Sequence, residues 1–306
     1  MFFRNLTLFR FSPEVAKTLA DLESALGEHA LRPCGPLESV TRGFVSPFGP
    51  ESAVLTHKIS HATLFTLGSE EKLLPAAVVN TELGTRLRKT AEKRGRPVGG
   101  RERKRLKAEV LDTLLPRAFV RPSRLNAYVD TKNGWLVLDT ASRKAAETAL
   151  TALRQALGSF PALPLASTET PRALLTGWLA QGKLPKGLEL ADECELRDPA
   201  GGAVVRCRRQ ELESVEVREH LKRGKQVYQL GLVFEGRLAL VLGEDLTVRK
   251  LRFLDVISDT LDNSGDDPAA ELDARFALMA GELERLLQGL AEWFGLRRPE
   301  HDVEAG

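Results

Sequence analysis

Residues 125–140 read LNAYVDTKNGWLVLDT, and this stretch predicts a β-hairpin. Apolar residues predominate on both sides of Asn133-Gly134, with polar residues at the ends of each run, as in buried strands. Asn-Gly between two such runs is the sequence signal for a type I′ turn, because both central residues then need a positive φ. A helix is expected next, since Thr140 or Ser142 can cap it and apolar residues recur at helical spacing up to Leu157.

Strands and helices are expected in the rest of the chain as well. Residues 2–11 alternate like a strand, and Ser12-Pro13 marks a helix start with Ser12 as the N-cap. The predicted fold is α+β, with antiparallel sheets in meanders and helices packed on them. Later patterns predict strands near 186–196, 202–209, 227–234, 238–242 and 248–253, and helices near 171–179, 214–222 and 269–294.

A strongly basic run occupies residues 86–107, RLRKTAEKRGRPVGGRERKRLK. Eleven of its 22 residues are Lys or Arg and only Glu92 and Glu102 oppose them, so its net charge is +9, whereas the whole chain carries +2. Apolar residues at helical spacing flank the run, and Pro97-Val98-Gly99-Gly100 interrupts it. We therefore expect two helices hinged at this break, forming a protruding basic helical hairpin.

The charge of this run points to nucleic acid. A dense set of cations neutralises phosphates and releases counterions, which is the sequence-independent part of DNA binding. A solvated helix face, a basic tail or an arm that docks an acidic protein would have the same composition, and charge does not separate DNA from RNA. The residues predicted to contact phosphate are Arg86, Arg88, Lys89, Lys93, Arg94, Arg96, Arg101, Arg103, Lys104, Arg105 and Lys107.

Composition and motifs argue against several classes of protein. No run approaches the length of a membrane span, and the N-terminus lacks the features of a signal peptide. The three cysteines are widely spaced, which fits a reducing cytoplasm and gives no zinc-ligand spacing. Walker, dinucleotide-binding and nucleophile-elbow motifs are missing, so we expect no catalysis, metal or cofactor. The alternative is a metal-dependent DNA-processing enzyme with scattered carboxylates.

Two histidines and one phenylalanine need separate interpretation. His57 and His61 lie in a run, Thr56 to Leu67, that reads as one strand and would hold them about 13 Å apart. Both are therefore expected to be ordinary core or surface residues. Phe119 lies among arginines in a proline-broken segment, where it is expected to be either a core residue or an exposed anchor.

The segment 205–210 and the C-terminal end have unusual charge. A strand over 205–210 would place Arg206, Arg208 and Gln210 on one face and Cys207 and Arg209 on the other. Since guanidinium groups on both faces are hard to bury, this strand is expected at a sheet edge or groove. Residues 255–306 carry a net charge of −9, so the near-neutral total hides a basic region and an acidic one.

Segments spread over nearly the whole chain carry a family resemblance. They include FFRNLTLFR at the start, LRPCG, EEKLLP, EVLDTLLPRAF, DTKNGWLVLD, RRQEL, LVLGEDLTVRKLRF and RFALMAGEL near the end. EVLDTLLPRAF and RFALMAGEL are the most specific, because many identities fall in order. Together these segments resemble the RdgC family of bacterial recombination-associated proteins.

The resemblance implies a function that composition does not give. RdgC-like proteins bind DNA without marked sequence preference, form a ring-shaped homodimer that encircles duplex DNA, and restrain RecA. The resemblance implies a cytoplasmic, nucleoid-associated protein without cofactor or catalysis, and leaves single-stranded DNA open as a ligand. A helical finger region of the family matches residues 78–114 here. Phe119 would be a dimer-interface residue, and Arg209 and Gln210 would lie at or near a subunit contact.

The sequence divides into four expected parts. Residues 1–75 form an N-terminal α+β region, and 76–115 form the basic helical finger. Residues 116–165 supply the β-hairpin and helix that complete the first lobe. Residues 166–306 form a C-terminal α+β lobe with the acidic C-terminal region.

Overall fold

A computed structural model of the chain describes residues 2–254 and 268–300. Its strands are β1 (Thr7–Arg10), β2 (Val40–Val45), β3 (Thr56–Ile59), β4 (Ala62–Leu73), β5 (Phe119–Asp130), β6 (Trp135–Leu138), β7 (Leu163–Pro164), β8 (Leu188–Arg197), β9 (Val204–Arg208), β10 (Gln226–Phe234), β11 (Leu238–Gly243) and β12 (Val248–Phe253). Its α-helices are α1 (Pro13–Thr18), α2 (Leu22–Gly27), α3 (Ala76–Arg94), α4 (Gly100–Leu114), α5 (Arg143–Leu157), α6 (Pro171–Gln181), α7 (Val215–Lys222) and α8 (Pro268–Phe294).

The strands form two sheets. One has the order β2-β4-β5-β6-β1-β7, with β3 also paired to β4, and the other has the order β12-β11-β10-β8-β9. The strand pairs whose register is described are antiparallel. The predicted α+β class with antiparallel sheets and helices is therefore confirmed. Within the described residues, no helix combines the length and apolar character needed to cross a membrane.

The chain divides into two compact units. Unit 1 comprises residues 1–28, 46–66 and 125–306, and unit 2 comprises 29–45 and 67–124. Unit 1 has a large core in which strands of both sheets and α8 bury residues such as Leu64, Tyr128, Leu232 and Phe276. In unit 2, β2 accompanies the second half of β4, the first half of β5, and α3 and α4.

Helix starts follow the sequence closely. Ser12 caps α1 by accepting a hydrogen bond from the Val15 N–H at 3.3 Å, and Pro13 is the first helical residue. Ser142 caps α5 in the same way, accepting from the Ala145 N–H. Both predicted caps are confirmed, because a hydroxyl before a helical run satisfies an amide that has no partner within the helix.

The turn between β5 and β6 differs from the prediction. The hairpin is present, but four residues, 131–134, connect Asp130 to its partner Trp135. Gly134 has a φ of +72°, whereas Asn133 does not have a positive φ, so the turn is not type I′. The Asp130 side chain accepts from the Asn133 N–H and stabilises the longer loop, a competing interaction that the Asn-Gly signal does not include.

Two other strand predictions are wrong in detail. The run Thr56 to Leu67 is a hairpin of β3 and β4 rather than one strand, with Ser60 at a φ of +54° in the turn. β9 ends at Arg208, and Arg209 has a φ of +53°, so Arg209 and Gln210 do not continue the strand. Cys207 is buried opposite Cys194 while Arg206 and Arg208 are exposed, and β9 is an edge strand as predicted.

Candidate nucleic-acid interface

The basic run folds as the two helices α3 and α4. Helix α3 ends at Arg94 and is followed by Gly95, whose φ of +63° places it in the left-handed conformation common just after helices. Helix α4 begins at Gly100, after Gly99 in an extended conformation. The five residues 95–99 therefore connect the two helices, whereas the sequence pattern places the break at residues 97–100.

An apolar seam joins α3 to α4 and fixes which way the cations face. Val79 and Leu83 of α3 and Leu106 and Val110 of α4 are buried together, with further leucines packed around them. Because side chains three and four positions apart share one helix face, the residues between these apolar positions lie on the other faces. The Lys and Arg side chains of this pair are exposed, except for Arg86, which is half-buried.

Few of these cations are neutralised by neighbouring acids. Arg86 pairs with Glu82 at 2.9 Å, Arg94 with Glu102 at 2.7 Å, and Arg105 with Glu109 at 3.3 Å. Within the described residues, eight of the eleven predicted phosphate contacts have no ion-pair partner. They are Arg88, Lys89, Lys93, Arg96, Arg101, Arg103, Lys104 and Lys107.

The position of the cations on α4 increases their attraction for anions. Arg101 and Arg103 lie in the first turn of α4, where the unpaired backbone N–H groups already make the helix end positive. Only Glu102 opposes this charge in the same turn. The start of α4 and the connection before it thus concentrate positive potential, and an approaching phosphate would relieve it.

Phe119 is not a core residue of the chain. Its side chain is 83% exposed at the start of β5. Two side-chain contacts show how β4 pairs with β5. The Ser69 hydroxyl of β4 lies 2.8 Å from the Ser123 hydroxyl of β5, and Arg121 of β5 donates to Glu71 of β4. This register places Leu73 opposite Phe119, and Leu73 is 44% exposed.

Unit 2 has other exposed apolar residues, although Val120, which follows Phe119 in β5, points to the opposite face of the strand. Val78 and Val120 are also large hydrophobic side chains open to solvent. The sequence analysis missed Leu73, Val78 and Val120 because each fits an ordinary strand or helix pattern. Leu73 becomes a candidate only once the pairing of β4 with β5 is known, and the sequence alone does not give that pairing.

Arg209 and Gln210 lie in unit 1, after the edge strand β9. Arg209 is exposed, and the Gln210 N–H donates to the Asp192 carbonyl at 3.2 Å. Val204 and Val215, on either side of this segment in sequence, are large exposed hydrophobic residues. The predicted interface residues thus belong to separate units, with Phe119 in unit 2.

The two histidines approach carboxylates rather than each other. His57 Nε2 lies 3.1 Å from Asp273, and His61 Nε2 lies 3.5 Å from Glu284 and 3.8 Å from Asp130. The contacts with Asp273 and Glu284 join the β3–β4 hairpin to α8, over a sequence distance that pattern analysis does not bridge. Among residues 2–254 and 268–300, no group of three His, Cys, Asp or Glu side chains has an arrangement suited to a metal ion.

Comparison with known proteins gives a consistent result over the whole chain. A family model described as "Putative exonuclease, RdgC" matches residues 1–297. A protein of Xanthomonas campestris pv. campestris named "Recombination-associated protein RdgC" is 50% identical over 303 residues, covering 98% of this chain and 100% of that protein. A protein of the same name from Stenotrophomonas maltophilia is 48% identical over the same length and coverage.

Proposed function

The chain belongs to the RdgC family, and from that premise we propose that it binds DNA without reading its sequence. We further propose that two copies form a ring-shaped homodimer around duplex DNA and restrain RecA-mediated recombination. In this proposal the protein acts by occupying DNA and catalyses no reaction. The names of its relatives support an association with recombination, while the DNA and RecA components are the proposal.

One observation carries the DNA-binding component. The α3–α4 pair presents eight exposed cations that have no acidic partner in the described part of the chain. Contacts of this kind go to phosphate oxygens, which position a protein on DNA without carrying sequence information. Four of the eight are arginines, and arginine can bind phosphate with two parallel hydrogen bonds.

The homodimer component rests on exposed apolar side chains. Phe119, which is 83% exposed, and Leu73 expose apolar surface to water, which is unfavourable in free energy. Exposed apolar patches usually mark interaction sites. In a two-fold interface the same surface of both subunits is in contact, so Phe119 would pack against Phe119 of the second subunit or against a residue next to it. Arg209 and Gln210, in unit 1, would belong to a second subunit contact, and two separate contacts are what a closed ring requires.

The test compares a nicked circular duplex with the same DNA linearised. Each DNA is loaded with protein and then challenged with rising NaCl. Retention on the circle with loss from the linear form is expected, because a closed ring leaves linear DNA only by sliding off an end. Equal loss from both forms would contradict encirclement, and failure to bind either form at low salt would contradict DNA binding.

The family description favours a second candidate, an exonuclease. Its test is digestion of end-labelled linear duplex and single strands in Mg²⁺ or Mn²⁺, with EDTA as the control. Metal-dependent shortening from an end that co-purifies with the protein, and that is lost on substituting a carboxylate, would replace the binding proposal. Intact DNA at protein excess would leave the binding proposal in place.

A further inference from the structure

The outer face of the five-stranded sheet is a second place where cations gather. On β8 and β9, Cys194, Leu196 and Cys207 point into the core of unit 1. Because neighbouring residues in a strand point to opposite faces, Glu193, Glu195 and Arg206 lie on the other side. Residues of β8, β11 and β12 line an open groove on that outer face.

Small side chains form part of the floor of this groove. Ala191, Ala239 and Val241 line it, and Gly231 is the cross-strand partner of Val241. A Cβ on Gly231 would lie 3.1 Å from the Glu193 Cγ and 2.8 Å from the Glu193 carbonyl oxygen. The glycine therefore allows the Glu193 side chain to lie flat across the sheet.

Cations from three segments surround the floor. Arg4, Lys250 and Arg252 line one part of the face, and Arg206, Arg208 and Lys250 line the adjoining part. Asp192, Glu193 and Glu195 are the carboxylates among them. Glu195 accepts from Arg206 at 2.7 Å, whereas in the described part of the chain Arg4, Arg208 and Arg252 are exposed and have no ion-pair partner.

Lys250 is held in an unusual conformation that aims it at Glu193. It has a φ of +53° where the β11–β12 register shifts between Ala239 and Val241, so it is a bulge residue. Bulges re-aim side chains, and a positive φ at a residue other than glycine persists where a function or surrounding contact requires it. The Lys250 ammonium donates to the Glu193 carboxylate, so this ion pair crosses the two intervening strands, β11 and β10.

We propose that this face is a second contact surface for the sugar–phosphate backbone of nucleic acid, separate from the α3–α4 pair. Arg4, Arg208 and Arg252 would bind phosphates directly. Glu193 would compete with phosphate for Lys250, so that Lys250 becomes available only when a stronger or multivalent anion replaces the carboxylate. The inference rests on the proposed DNA binding and adds a site and a competing residue to it.

Phosphate is favoured over an acidic protein as the occupant for two reasons. The small side chains of the floor allow a close approach, and the exposed arginines beside it carry the charge that attracts phosphate. Arg206 and Arg208 lie two positions apart on one strand, about 7 Å, and arginine forks match phosphate oxygens. A repeating backbone of phosphates uses both features without needing a pocket.

The experiment measures binding of the full chain to a short duplex of random sequence by fluorescence anisotropy, over a series of NaCl concentrations. Each phosphate contact contributes about 0.9 to the slope of log K against log salt. The double variant Arg208→Ala/Arg252→Ala should make the slope about two units shallower. Glu193→Gln should make the slope about one unit steeper and tighten binding roughly 3-fold at moderate salt. Arg143→Ala is the matched control, because Arg143 is an exposed arginine on α5 that does not line this face, and it should change neither value.

The outcomes separate this inference from the proposed function. If the wild type binds DNA but both the double variant and Glu193→Gln match it, the sheet face is not a DNA contact and the inference is overturned. If the wild type does not bind, the proposed function itself fails. Sedimentation of each variant checks that the oligomeric state is unchanged. Binding of polyglutamate, competitive with DNA and lost in the double variant, would assign the face to an acidic protein instead.

Discussion

Arg94 donates a 2.8 Å hydrogen bond to Glu102, joining the last residue of α3 to the first turn of α4. The contact closes the five-residue connection between the two helices. It also removes one cation from the set available to phosphate. Since the Glu102 side chain is only 19% exposed, the carboxylate is less screened than one in open water.

Glu102→Gln is therefore expected to strengthen DNA binding. It removes one negative charge from the basic surface and releases Arg94 for phosphate. The slope of log K against log salt should steepen by up to about one unit. Circular dichroism should be unchanged, because a partly exposed ion pair contributes only about 0–1 kcal/mol to stability. Weaker binding by this variant would mean that the Arg94–Glu102 contact serves to shape the surface.

Removing unpaired cations should weaken DNA binding more than removing a paired one. Arg88→Ala/Lys93→Ala/Lys104→Ala is expected to lower the salt slope by about three units, at roughly one per lost contact. Arg86→Ala is the matched control, because its guanidinium is held by Glu82 and donates to the Thr113 hydroxyl. A slope equal to that of the wild type in the triple variant would place the DNA elsewhere on the protein.

Phe119→Ala should weaken self-association without destabilising the chain. The side chain is 83% exposed, so its removal creates no cavity. In an interface, truncating a buried aromatic anchor commonly costs more than about 2 kcal/mol, or roughly 30-fold in the dimer Kd. Sedimentation velocity across a dilution series measures this. Val54→Ala, an exposed apolar residue of unit 1, is the control, and equal dimerisation by all three proteins would remove Phe119 from the interface.

Glu282→Gln should destabilise unit 1 at neutral pH but not in acid. Burial acts to raise the pKa of the Glu282 carboxyl, but hydrogen bonds from Arg237 and Arg285 outweigh it, and the pKa lies below its ordinary value. A carboxyl with a lowered pKa contributes stability that is complete above its unfolded pKa, about 4.3, and is lost as pH falls through the folded value. The expected loss at pH 7 is about 1–3 kcal/mol.

Urea unfolding followed by tryptophan fluorescence measures this loss, because Trp135, Trp178 and Trp293 all belong to unit 1. The difference between the variant and the wild type should shrink as the pH is lowered from 7 towards 3. Glu271→Gln is the control on the same helix, since Glu271 forms a more exposed pair with Arg275. A difference that is constant with pH would mean that the glutamine disturbs packing.

Gly43→Ala should loosen the β2 part of unit 2. A Cβ at this position would lie 2.5 Å from the backbone of Leu31, a distance that requires the two segments to separate. The Leu31 N–H and the Phe44 carbonyl, now 2.9 Å apart, would lose their hydrogen bond. Overpacking of this kind costs about 1–3 kcal/mol.

Hydrogen exchange followed by mass spectrometry should show faster exchange over residues 29–45 in Gly43→Ala. Gly84→Ala in α3 is the control within the same unit, because an added Cβ there meets nothing within 4 Å. Alanine has the higher helix propensity, so Gly84→Ala should slow exchange in α3. Unchanged exchange over 29–45 in the first variant would show that the segments separate without cost.

Local pattern and charge determined much of this protein from the sequence alone. Ser12 and Ser142 cap helices where their hydroxyls precede a helical run, and Gly95 ends α3 where glycine tolerates a positive φ. The α+β class follows from periodicities of two and 3.6 residues, which each segment carries by itself. The eleven cations of residues 86–107 were also evident, because a high local charge needs no tertiary contact to be read.

Only the tertiary structure decided which of these residues are available and what lies beside them. Arg94 forms an ion pair with Glu102, and Phe119 is exposed. The loop at Asn133-Gly134 is stabilised by the Asp130 side chain, which accepts from the Asn133 N–H. The tertiary structure also gathered Arg4, Arg208 and Arg252 around one sheet face from distant parts of the chain. Strand order and register set these neighbours, and both depend on packing across the whole core, whereas a sequence pattern records only one segment at a time.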